Sequence, residues 1–179
     1  MSESADALKE KGVQAYSDGD YAEARAAFEA ARQAYEAAGD QANAGEMLNN
    51  IGVVYRLEGR WDEAQAAFDQ ARAIFQQLGD REREAQVLGN LGGLYASRGQ
   101  RDLAITTLQA AAEIFAQTGD GERRAETLKA LSLLQMKTGR ISEALATYQA
   151  GLEAHTRPTL AQRALRTFAK LPLRLGAGR

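Results

Sequence analysis

Cysteine is absent from the 179-residue sequence, which excludes disulfides, thiolate metal sites and cysteine nucleophiles. Histidine occurs once, at His155, so multi-histidine metal sites are excluded and a single unperturbed side chain titrates near neutral pH. No apolar run approaches the roughly 20 residues that span a bilayer. The opening Met1-Ser2-Glu3-Ser4-Ala5-Asp6 lacks the basic and apolar regions of a secretory signal, so a cytoplasmic location is the expectation. Carboxylates and serines are present, but none are paired at a spacing that signals catalysis. The inventory points away from an enzyme and calls for no cofactor or metal.

The composition is 45% hydrophobic and 26% charged, with a mean hydropathy of -0.43, which places the chain among folded proteins and away from disordered ones. The net charge of -2 conceals a partition. From His155 to Arg179 there are six bases (Arg157, Arg163, Arg166, Lys170, Arg174, Arg179) and no acid, whereas residues 1–154 carry a net of -8. An acidic body is followed by a basic tail.

The dominant pattern is a period of 40 residues. Gly19, Gly59, Gly99 and Gly139 stand in register, as do Ala24, Ala64, Ala104 and Ala144, and Leu8, Leu48, Leu88 and Leu128. Self-similarity at this period marks a stacked repeat protein, in which each unit buries its apolar face only against its neighbours. Within a unit the apolar residues follow helical spacing: Leu48, Ile51, Gly52, Val54 and Tyr55 form one face, then Ala64, Ala67, Phe68, Ala71, Ile74 and Phe75 another. Two amphipathic helices per unit follow. Gly39, Gly79 and Gly119 suit the residue beyond a helix end, and Asp40, Asp80 and Asp120 suit the next helix start. Asp20 with Glu23 has the spacing of an acidic capping box. Gly12, Gly52, Gly92 and Ser132 recur inside first helices; glycine there costs roughly 1 kcal/mol against alanine, so close helix contact is the expected reason.

These residues resemble the tetratricopeptide repeat, whose Leu-Gly-x-x-Tyr then Ala-x-x-x-Phe pattern is met by Ile51-Gly52-Val53-Val54-Tyr55 with Ala64 and Phe68, and by Leu91-Gly92-Gly93-Leu94-Tyr95 with Ala104 and Leu108. The period exceeds the usual repeat of about 34 residues, and the places of its closing proline hold Glu36, Gln76 and Ala116. With Asn50-Ile51-Gly52 and Asn90-Leu91-Gly92, the chain is similar to the long repeats of the adaptor LGN, kinesin light chains and bacterial peptide-pheromone receptors. The resemblance implies an all-α, right-handed superhelix of four helix pairs, in units of about 5–39, 45–79, 85–119 and 125–154, with 155–179 as a basic C-terminal helix and tail. It also implies a protein-interaction scaffold in which the Asn before Leu-Gly lies on the inner face of the first helix and holds the backbone of an extended peptide.

On that basis the candidate peptide-binding residues on the concave face are Asn49, Asn50, Val53, Arg56, Gln86, Asn90, Gly93, Lys129, Leu133, Met136 and Lys137. An Asn amide offers donor and acceptor together, which matches a peptide unit whatever its side chains. The ladder is short, because the equivalent sites in units one and four are Glu10 and Ala130. An ordinary solvated face is the competing reading of each residue, and for Met136 a gap-filling place in the core. The basic clamp of co-chaperone repeats for a terminal carboxylate is matched only by Lys9 and Asn50. Trp61 and Tyr21 open second helices at consensus packing positions.

In the tail, Pro158 suits a first helical turn, Leu160, Ala164, Leu165, Phe168 and Leu171 can share one face, and Pro172 stops the helix. A capping helix over the fourth unit, a basic amphipathic segment for a membrane surface, and self-association all remain open. Nucleic acid is not an expected partner, since the acidic body repels phosphate.

Overall fold

The computed structural model describes residues 3–155, which form eight α-helices. They are α1 (Ala5–Asp18), α2 (Tyr21–Ala37), α3 (Gln41–Leu57), α4 (Trp61–Leu78), α5 (Arg81–Ser97), α6 (Arg101–Thr118), α7 (Gly121–Lys137) and α8 (Ile141–His155). The helices α2 to α7 run 17 or 18 residues, the extra length expected of the longer period. Each helix packs on its neighbours in sequence, and the first helices α3 and α5 also touch. The result is an all-α superhelical stack of four helix pairs. The expected C-terminal helix and tail lie outside the described residues.

Every short turn holds one glycine in the left-handed region, from Gly19 at φ 84° to Gly139 at φ 77°. Asp40, Asp80 and Asp120 accept hydrogen bonds from the backbone N–H groups of Asn43, Arg83 and Arg123, at 3.0, 3.0 and 2.9 Å. Asp20 does not act in this way. Its carboxylate makes no capping bond, although its backbone (φ -81°, ψ 69°) is close to that of Asp40 (φ -83°, ψ 79°). Two further second helices follow suit: Arg60 and Gln100 precede α4 and α6 without a side-chain cap. Among the turns, side-chain capping thus falls at those between units, as Ser4 caps α1 at the head of the array, and the capping box expected at Asp20 is absent.

The apolar core is divided as nearest-neighbour stacking requires. Ile51, Met47 and Val54 of the second unit join Ala15, Phe28 and Tyr35 of the first in one cluster. Leu88, Leu91 and Leu94 of the third join Phe68 and Phe75 of the second. Leu128, Leu131 and Leu134 of the fourth join Ile105 and Leu108 of the third. Trp61 and Tyr21 pack against these clusters as their consensus positions suggest. A Cβ on Gly12, Gly52 or Gly92 would lie 2.5, 2.6 and 2.6 Å from Phe28, Phe68 and Leu108, so the recurrent small residue is where the second helix presses its large side chain onto the first. In the fourth unit Ser132 occupies that place and the matching Tyr148 is half exposed.

Candidate functional site

The candidate residues lie along the row of first helices. On α3, Asn50, Val53 and Arg56 recur at intervals of three and Asn49 stands four before Val53, and all four are half-buried. On α5, Gln86, Asn90 and Gly93 do the same. Asn90 Nδ2 donates to Asn49 Oδ1 at 2.8 Å, joining the second and third units across this face. The side chain of Asn50, the register equivalent of Asn90, makes no hydrogen bond to the described residues. An amide carries two donor hydrogens and an acceptor oxygen, so Asn90 keeps capacity for a further partner and Asn50 keeps all of its own.

Around the amides the surface opens. A Cβ placed on Gly89 would meet nothing within 4 Å, and one on Gly93 would meet only the Arg56 guanidinium, 3.7 Å from Nη1. Arg56 therefore reaches from α3 toward the bare backbone of α5. Its Nε is buried and has no hydrogen-bond partner. On α7, Lys129 and Lys137 are exposed and have no acidic partner among the described residues. Leu133 and Met136 beside them are 51% and 55% exposed. That exposure removes the core-filling reading of Met136 and leaves an apolar surface flanked by two cations.

A second set of contacts crosses the same row and was not read as a set of pairs in the sequence. Lys9 Nζ lies 2.6 Å from Glu46, and Arg83 lies 3.9 Å from the other oxygen of Glu46. With the Gln86 amide turned so that its oxygen faces α7, the Arg123 guanidinium nitrogens lie 2.9 and 3.1 Å away. Arg123 also approaches Glu82 at 3.8 Å. Lys9 to Glu46, Glu46 to Arg83 and Gln86 to Arg123 are each 37 residues apart, and that spacing was the available signal. The contacts occupy Lys9 and Gln86 within the array, so the free polar groups are those of the Asn50, Asn90 and Arg56 zone and of α7. Two hollows lie elsewhere, between second helices. One of about 590 Å³ is lined by Gln109, Arg124 and Ala150, and one of about 310 Å³ by Glu29, Arg32 and Gln70.

A row of paired helices with an amide-bearing, partly open face defines a helical-repeat scaffold. The sequence matches the tetratricopeptide repeat over residues 3–77, 43–109 and 83–157, and the chain belongs to that family. The family is one of protein-interaction scaffolds, and no enzymatic family is indicated. Among solved structures, BtubC (BKLC) from P. vanneervenii is similar at 19% identity and a TM-score of 0.65, covering 98% of this chain and 69% of that one. The Rap conjugation gene regulator of the plasmid pLS20, solved in complex with the Phr* peptide, is similar at 21% identity and a TM-score of 0.74. That likeness covers 93% of this chain and 43% of the regulator, and at this identity both likenesses concern the fold. No curated protein matches the sequence. No helix among the described residues is long and apolar enough to cross a membrane.

Proposed function

We propose that the face formed by the first helices receives an extended peptide segment of a partner protein. The observation that carries this reading is the Asn49–Asn90 hydrogen bond, which spans two units directly beside Gly89, where no side chain covers the helix. A strand-like segment laid across this strip meets amides suited to its backbone, with Asn50 and Asn90 orienting it. Arg56, Lys129 and Lys137 select acidic groups on the ligand, and Val53, Leu133 and Met136 supply apolar contact. The Rap regulator, solved in complex with the Phr* peptide, supports the class of ligand by analogy of fold.

The test is selection of binding peptides from a displayed random library on the full chain, followed by affinity measurement of one selected peptide against N50A/N90A. Loss of the amide contacts should weaken binding about tenfold while the half-buried amides leave folding little changed. Equal affinity for the parent chain and the double variant overturns the assignment. Enrichment of peptides without acidic residues would count against the roles given to Arg56, Lys129 and Lys137.

A further inference from the structure

The larger hollow has a cation in its wall and no counter-ion beside it. It lies between the second helices α6 and α8, over α7, and measures about 590 Å³. Leu128 and Leu131 form its floor, Ala112 and Ala150 its sides, and Arg124 lines it from the start of α7. The hollow of about 310 Å³ occupies the register-equivalent place between α2 and α4, with Leu48 and Ile51 as floor.

Two columns of the repeat account for the difference. Arg32, Arg72 and Ala112 stand in one, and Ala44, Glu84 and Arg124 in the other. Arg32 lines the smaller hollow and pairs with Glu29 and Glu36. At the next junction Arg72 lies 3.6 Å from the buried Glu84. At the last one, alanine replaces the arginine and leaves volume, while arginine replaces the glutamate and reverses the charge. Arg124 is half-buried, and its guanidinium has no ion pair or hydrogen bond among the described residues. Glu113 also lines the hollow, but its carboxylate accepts from Gln117 at 3.2 Å and makes no ion pair with Arg124.

We infer that this hollow binds a small aliphatic carboxylate, whose head group meets the Arg124 guanidinium and whose chain lies over Leu128 and Leu131. The inference is independent of the peptide reading, which uses another face of α7. Taking a guanidinium partly out of water without a counter-ion is unfavourable, and a bound carboxylate supplies one through paired hydrogen bonds. The volume lies in the range of small-molecule sites, about 300–1,000 Å³, and helices on three sides exclude a flat protein surface. An inorganic anion would leave the leucine floor wet, and an uncharged hydrocarbon would leave Arg124 unpaired.

Calorimetric titration of the full chain with octanoate tests the inference. Octanoate should bind at one site, about tenfold or more tighter than octanol or acetate. R124M keeps the length of the side chain without its charge; it should abolish the preference for octanoate over octanol and melt no lower than the parent chain. A112M, which fills the hollow, should weaken octanoate about tenfold, whereas N50A/N90A should leave its affinity unchanged. Absence of saturable octanoate binding with a Kd below about 1 mM overturns the inference. So does a preference that survives in R124M, or a lowered melting temperature that assigns Arg124 to the fold. Tighter binding of N-acetylleucylleucine, which would give the hollow to a protein terminus, or a dimer in light scattering that A112M dissolves, overturns it as well.

Discussion

At the scale of single residues, the recurrent glycine of the first helices is an instruction about distance. The Phe68 ring is fully buried, and a Cβ on Gly52 would sit 2.6 Å from its Cε1, inside the contact limit. G52A should therefore destabilise the protein by about 1–3 kcal/mol, although alanine is the better helix former. On α5, G93A places its Cβ at an ordinary 3.7 Å from Arg56 and should be neutral or stabilising. Urea denaturation of the two variants separates close packing from open surface; equal losses would show that the Phe68 contact is not the cause. The glycine column was readable because one contact recurs in the first three units. Which surface glycine lies open was not, because Gly89, Gly93 and Gly92 look alike along the chain.

At the scale of helices, the turns between units and within units share their glycine but differ in capping. Asp80 accepts from the Arg83 N–H at 3.0 Å and lies within 3.3 Å of the Arg83 guanidinium. D80A should cost about 1 kcal/mol, and D20A, where no cap is made, close to nothing. Thermal melts of the two variants check the contrast, and equal losses would remove the distinction between turn types. Amphipathic period and helix number were legible because the 3.6-residue period is written locally in each segment. The cap at Asp20 was misread because spacing alone does not determine the rotamer that aims a carboxylate at a free N–H.

At the scale of the whole molecule, the stack depends on contacts that tie one helix to the next, and one of these responds to pH. Tyr35 is 5% exposed and donates its hydroxyl to Asp6 of α1. Burial, followed by that hydrogen bond, pushes the phenol from 10.0 up to about 12. A raised folded value favours the protonated form, so its contribution is fully present below pH 10 and is lost as pH rises through about 12. Y35F should melt somewhat lower at neutral pH and lose less between pH 10 and 12 than the parent chain. Parallel curves for the two proteins in that window would show that Tyr35 is not the titrating group. The sign reverses on the acid side. The hydrogen bond from Arg32 lowers Glu29, and that from the Asn43 N–H lowers Asp40, so their contributions hold above the ordinary 4.5 and 3.8 and fade as pH falls through the depressed values.

The sequence by itself determined the repeat, the helix pairs, the glycine turns, the aspartate caps between units and the family, since each rests on contacts within a unit or on a feature that recurs every 40 residues. Tertiary structure decided what lies between units. It paired Asn90 with Asn49 and left Asn50 free, laid Arg56 over Gly93, bared Met136, and tied Lys9 and Gln86 into contacts with neighbouring units. The physical reason is that a helix repeats its own geometry in the chain, whereas the reach of one side chain to the next unit depends on the angle and offset at which two units stack.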